Sequence, residues 1–204
     1  MKSTFLRLIV TIFAVALLLC GVKVGSLSKI PTDAATKKPL PVTEAPLLTV
    51  PAEMEKLARA LEGTWQVSEK LEPSNSLPNG GTGRGRVIYR QTAGGMALIE
   101  EYRSTGPAGE YQGAALFWWD EPARVYRAPW CDNAAGCTGS AGVGHWEGND
   151  LVWMDEAESG GQKSTIREIY TDITPASMTQ IIEAGPSGGK LKRSITIHST
   201  KLTR

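Results

Sequence analysis

From Thr64 to the C-terminus, apolar and polar residues alternate in short runs. In Thr64–Leu71, Trp65, Val67 and Leu71 fall on one face and Thr64, Gln66, Ser68 and Lys70 on the other; Glu69 interrupts the apolar face. A period of two is the signature of a β-strand with one face buried. Comparable runs lie near 82–91, 96–104, 111–119, 124–131, 142–147, 150–156, 164–173, 177–184 and 190–200. Turn-forming segments separate them: PNGGTG, GPAGE, DEPAR, EGND, ESGGQ, TPAS and GPSGG. Nothing after residue 63 sustains helical spacing, which argues against a βαβ chain. Many short strands at even spacing predict an all-β sandwich or barrel.

One segment before this array carries the other periodicity. Met54, Leu57, Ala58 and Leu61 stand at i, i+3, i+4 and i+7, with Pro51 at the entry and Gly63 at the exit. They predict a helix over 53–62 lying across one end of the strands. Residues 27–52 contain five prolines and no apolar period, the composition of an extended flexible linker. Residues 1–26 read as a signal peptide: Lys2 and Arg7, an apolar run over 8–22, and Val24 and Ser26 at −3 and −1 of a cleavage point. The run is short for a membrane-spanning helix, although a retained anchor is the alternative. Lipidation at Cys20 is a lesser one, because Leu19 is too large for the residue that precedes a lipidated cysteine. The expected organisation is signal peptide 1–26, linker 27–52 and barrel domain 53–204, with a periplasmic or secreted location.

Charge is nearly balanced, at 22 basic and 21 acidic residues. Removing Lys2, Arg7 and Lys23 with the leader leaves 19 basic against 21 acidic. This balance predicts no nucleic-acid partner, and no membrane insertion is expected beyond the leader. Loss of Cys20 leaves Cys131 and Cys137, which in an oxidising compartment predict a disulfide. A zinc site would need more ligands, and His145 is the only histidine nearby.

The cysteines close the stretch FWWDEPARVYRAPWCDNAAGC, residues 117–137, which holds three of the six tryptophans. DEPAR predicts a turn with Pro122 at its first corner and Asp120 capping its own backbone. Ala115, Phe117 and Trp119 share a face of the incoming strand; Tyr126, Ala128 and Trp130 share one on the outgoing strand. Apolar groups on both faces of 115–119 predict that the outer face is also covered, by the helix over 53–62.

The Gly-x-Trp of LEGTWQVSEKL resembles the opening of the first strand in lipocalin-like barrels. GGMALIEEYRS followed by YQGAALFWWDEPARVYRAPWCDN is similar to the domain of unknown function 1579 family, through Gly94, Gly95, Leu98, Glu101, Tyr102, Asp120, Tyr126, Trp130 and Asp132. Trp119 stands where that family has Tyr, and Glu121 is inserted before Pro122. The resemblance covers residues 60–204. It implies a lipocalin/calycin-like up-and-down antiparallel β-barrel of about ten strands, here with one short N-terminal helix, and it implies no activity.

No nucleophile elbow, metalloprotease helix, dinucleotide fingerprint or P-loop occurs. The haem-binding nitrobindins also begin with Gly-x-Trp and use a histidine near the C-terminus. This chain lacks their Tyr-Pro segment, and His198 alternates away from Ile195 and Ile197. No cofactor and no metal are therefore expected. Glu69, Glu100 and Arg193 interrupt apolar faces; buried charges should pair or face a wet pocket. The expected function is binding of a small, mostly apolar or amphipathic molecule in the barrel cavity, lined by Trp65, Val67, Glu100, Tyr102, Phe117, Trp119, Tyr126, Trp130 and Arg193, with no catalytic residue assigned. The alternatives are an enzyme using cavity carboxylates as acid and base, or a structural barrel with a filled interior.

Overall fold

The computed structural model describes residues 48–159 and 161–203; the expected signal peptide and nearly all of the linker lie outside them. Helix α1 spans Ala52–Leu61 and buries Met54, Leu57, Ala58 and Leu61, the stripe its spacing predicts. Twelve strands follow: β1 (Gly63–Leu71), β2 (Gly81–Thr92), β3 (Ala97–Gly106), β4 (Gly109–Asp120), β5 (Val125–Ala128), β6 (Trp130–Asp132), β7 (Gly136–Cys137), β8 (Gly142–Glu147), β9 (Asp150–Ser159), β10 (Gln162–Thr171), β11 (Ser177–Pro186) and β12 (Lys192–Lys201).

Every neighbouring pair is antiparallel, and β12 returns to β1, closing a barrel of ten strands in up-and-down order. Closure removes the exposed edges that an open sheet would present. Strands β6 and β7 are additional. The expected strand over 124–131 is interrupted at Pro129, which has no backbone N–H for a ladder. Its first part, β5, pairs with β4 at Trp118–Asp120, while β6 pairs lower down β4 at Gly113–Ala115. The two-residue strand β7, which the alternation did not predict, pairs with β6 and places Cys131 opposite Cys137, joined as a disulfide. In the turn before β5, Asp120 Oδ1 accepts the Ala123 backbone N–H, the expected local cap.

The barrel is solid at one end. There Trp65, Val67, Tyr89, Leu98, Phe117, Tyr126, Tyr170 and Met178 pack with the buried stripe of α1. Buried aromatic side chains with polar tips need partners, and these tips anchor the helix. Trp65 Nε1 donates to the Leu61 carbonyl at 2.8 Å, and the Tyr126 hydroxyl donates to the Glu53 carbonyl at 2.8 Å while accepting from Trp146 Nε1 at 3.1 Å. The helix thus covers the mouth of the lumen. Contrary to expectation it does not cover the outer face of β4: Leu116 is 42 % exposed and Trp118 half-buried.

Candidate ligand-binding cavity

Strand alternation directs Glu69 and Leu71 of β1, Glu100, Tyr102 and Ser104 of β3, and Ala115 and Phe117 of β4 inward. Above the solid end these side chains surround a cavity of about 400 Å³. It reaches the surface at the β3–β4 turn, where exposed Pro107 and Ala108 form its rim. The wall is mostly apolar: Phe117, Trp130, Trp153, Ile166, Ile182, Ile195 and Ile197 all contribute. Small residues on the neighbouring strands make room for the indoles. A Cβ on Gly113 would lie 2.1 Å from Trp130 Cζ2, and one on Gly144 would lie 2.7 Å from the Trp153 ring. Both rings lie flat against bare backbone, an approach that only glycine permits.

Four of the expected cavity residues line this space: Glu100, Tyr102, Phe117 and Trp130. Trp65, Val67, Trp119 and Tyr126 do not; the first two and Tyr126 are buried in the solid end, and Trp119 stacks edge-on against Tyr126 with ring centroids 5.0 Å apart. They face inward as their alternation demands, but on the levels that α1 and the facing strands fill. Arg193 is exposed and lies outside the cavity. A β-bulge is the reason. Ile182 pairs with Ile195, yet Glu183 pairs with Arg193, so one extra residue enters β12 and the strict alternation that would turn Arg193 inward ends there. Arg193 therefore does not join Glu100 in the cavity, as was expected. His198 is exposed, and its Nδ1 lies 3.3 Å from Thr179 Oγ1.

Glu100 instead faces a second carboxyl. Strands β3 and β10 stand opposite each other on the ten-strand ring, and Glu168 of β10 lines the same cavity. Glu100 is 3 % exposed. Burial, with the Glu168 charge adding to it, pushes its carboxyl up from 4.5 to about 8, against a smaller opposing effect of the Tyr89 hydroxyl. Burial also raises Glu168, although Tyr170 and Gln180 hydrogen-bond to it and offset part of the rise. Beneath the two acids, the Tyr89 and Tyr170 hydroxyls lie 3.3 Å apart, and Gln180 Nε2 bridges from the Tyr170 hydroxyl to Glu168. Burial first, then the neighbouring carboxylates, hold both tyrosines well above their ordinary pKa.

The remaining acids are already engaged. Glu69 accepts the Tyr102 hydroxyl. Asp132 Oδ2 accepts Tyr111 and Trp130 Nε1, each at 2.9 Å, and its Oδ1 accepts the Ala134 and Ala135 N–H groups. Burial would raise the Asp132 pKa, but these donors outweigh it and hold the carboxyl below its usual range. Burial raises the Asp155 carboxyl of β9, although the Glu156 backbone N–H that it accepts offsets part of the rise. Sequence reasoning missed Glu168, Gln180, Trp153 and Tyr111. The signal for the first two was present: Glu168 sits between Ile166 and Tyr170, and Gln180 between Met178 and Ile182, each a polar break in an apolar face.

Fold and site together define a closed up-and-down β-barrel with one capped end and one cavity-bearing end. No family model and no curated protein matches the chain. Solved structures do match. The Mycobacterium tuberculosis protein Rv2717c is 9 % identical with a TM-score of 0.53, over 76 % of this chain and all of that one. The S-type phycobiliprotein lyase CPES from Guillardia theta is 8 % identical with a TM-score of 0.50, over 74 % of this chain and 93 % of that one. A redesigned β-barrel, mFAP0, bound to DFHBI is 15 % identical over 70 % of this chain and 99 % of that one, with a TM-score of 0.39. At these identities the first two likenesses concern the barrel fold.

Proposed function

We propose that this protein is an exported carrier that holds a small amphipathic or largely apolar molecule in its barrel. The observation that carries the reading is the cavity of about 400 Å³, walled by Phe117, Trp130 and Trp153 and open at one end only. Rigid aromatic walls with a few convergent polar groups are the usual composition of a small-molecule site. A cavity of this size favours the carrier over a barrel with a filled interior. The basic–apolar leader over 1–26 and the Cys131–Cys137 disulfide support export to the periplasm or beyond. Membership of the domain of unknown function 1579 family is part of this proposal, supported by the motif residues of β3 to β6.

Native mass spectrometry of the protein isolated from its own host tests the reading. A bound molecule that is lost on filling the cavity, as in Ala115→Phe, is the expected result. An empty barrel that takes up no apolar probe would end it. The raised pKa of Glu100 favours a second reading, an enzyme in which this carboxyl acts as a general acid. Turnover abolished by Glu100→Gln, with ligand uptake retained, would replace the carrier by the enzyme.

A further inference from the structure

The cavity has an electrostatic sign that its apolar walls do not reveal. Among the described residues five carboxyl side chains line it, those of Glu69, Glu100, Asp132, Asp155 and Glu168, and no Lys, Arg or His does. Glu69 and Asp132 are occupied by tyrosine and indole donors. Asp155 accepts the Glu156 backbone N–H. Glu100 is different. It is almost fully buried, faces the cavity, and forms no ion pair among the described residues. The one hydroxyl that steadies it, Tyr89, is shared with Tyr170. A carboxylate has about four acceptor sites, so most of this capacity is directed into the cavity. Glu168 faces it from the opposite wall with Gln180 and Tyr170 on one side only.

Two opposed carboxyls in a low-dielectric space are unfavourable when both are ionised and unaccompanied. A single positive charge between them removes the repulsion and fills their unused acceptor sites. Among the described residues no group of three or more His, Cys, Asp or Glu side chains could hold a metal ion. The space around the pair is instead walled by aromatic rings, which attract organic cations through their π faces. We propose that the ligand is a protonated organic amine, its ammonium set between Glu100 and Glu168 and its apolar body against Phe117, Trp153 and Trp130. This deepens the carrier reading and rests on it.

The test uses three probes with one naphthalene body: 1-naphthylmethylamine, 1-naphthalenemethanol and 1-naphthoate. Affinities are measured by calorimetry at pH 7 on the full-length protein and on Glu100→Gln and Glu168→Gln. The amine is expected to bind at least ten-fold more tightly than the alcohol, and the naphthoate least tightly. Each substitution should bring the amine to within about two-fold of the alcohol measured on the same variant. Repeating the titration in buffers of different ionisation heat should show a proton released on binding the amine and none on binding the alcohol. A near-UV circular dichroism spectrum matching the parent certifies that each variant is folded. An amine no tighter than the alcohol, or one indifferent to both substitutions, overturns the cation inference and leaves the carrier reading standing. Failure of all three probes to bind overturns both.

Discussion

The Tyr89 and Tyr170 hydroxyls meet at 3.3 Å where the packed half of the barrel gives way to the hollow half. Tyr89 lies opposite Glu100 in the β2–β3 register, and Tyr170 lies opposite Gln180 in the β10–β11 register. This pair forms a polar floor: beneath it lies the core cluster packed on the helix, and above it the two acids line the cavity. The solid end supplies the rigidity that holds the floor in place.

Stability should fall as pH rises from about 5 to 8. The Glu100 pKa is raised from 4.5 to about 8 by folding, so the folded chain holds a proton that the unfolded chain releases. Its contribution is complete below pH 4.5 and is lost progressively up to pH 8, at a slope of up to about 1.4 kcal/mol per pH unit. Glu168 shifts in the same direction. Of the groups facing them, Tyr89, Tyr102, Tyr170 and Gln180 do not change charge in this window, and Asp155, whose carboxyl burial also raises, shifts stability in the same direction. Thermal melts at pH 5.5 and pH 8 should show the lower midpoint at pH 8, and Glu100→Gln should flatten the difference. A midpoint that climbs toward pH 8 would show that Glu100 is not buried as its position implies.

Gly113→Ala should destabilise the barrel by about 1–3 kcal/mol, the usual cost of overpacking. The new methyl would occupy the position of the Trp130 ring. Displacing that ring also breaks its Nε1 bonds to the Tyr111 hydroxyl at 3.0 Å and to Asp132 at 2.9 Å. Chemical denaturation of the single variants and of Gly113→Ala with Trp130→Ala checks this. The double variant should be less destabilised than the sum of the two, because the clash needs the indole.

Tyr126→Phe should loosen the helix cap. It removes the donor to the Glu53 carbonyl and leaves the Trp146 indole N–H without its acceptor. A lost hydrogen bond that strands its partner costs roughly 1–3 kcal/mol, a fall of about 2–4 °C in the melting midpoint for each kcal/mol in a chain of this size. Hydrogen exchange should quicken first in Ala52–Leu61. Uniform acceleration across β1 to β12 with no excess in the helix would contradict the anchoring role.

Reduction of the Cys131–Cys137 disulfide should lower stability by about 2 kcal/mol on loop-entropy grounds, since the closed loop is short. Cys131→Ser with Cys137→Ser should melt at the same temperature with or without dithiothreitol, and the parent should match it only when reduced. An unchanged parent midpoint under reduction would mean that the β6–β7 pairing holds without the bond.

Much of this architecture was legible in the linear pattern. Alternation alone placed Glu100 and Tyr102 on the same face as Leu98, and His198 on the face opposite Ile195 and Ile197, because successive side chains on a strand have no other choice. The helical stripe Met54–Leu57–Ala58–Leu61 was equally plain. The period-two signal is local, and it fails where the backbone departs from it. The bulge at Ser194 removed Arg193 from the lumen, and Pro129 split one expected strand into two.

What the chain by itself determined is which faces of its regular strands are apolar and that the fold is all-β; closure in sequence order was implied only by the resemblance to lipocalin-like barrels. The three-dimensional fold alone decided which inward residues meet a partner and which meet space. Trp65 and Trp130 are indistinguishable by alternation, yet one is sealed under the helix and the other walls a cavity. Glu100 and Glu168, 68 positions apart in the chain, became one site only because β3 and β10 stand across the lumen from each other. Such pairings depend on the curvature of the closed sheet and on the height of each residue along the barrel axis, quantities set by contacts between distant segments rather than by any local run of residues.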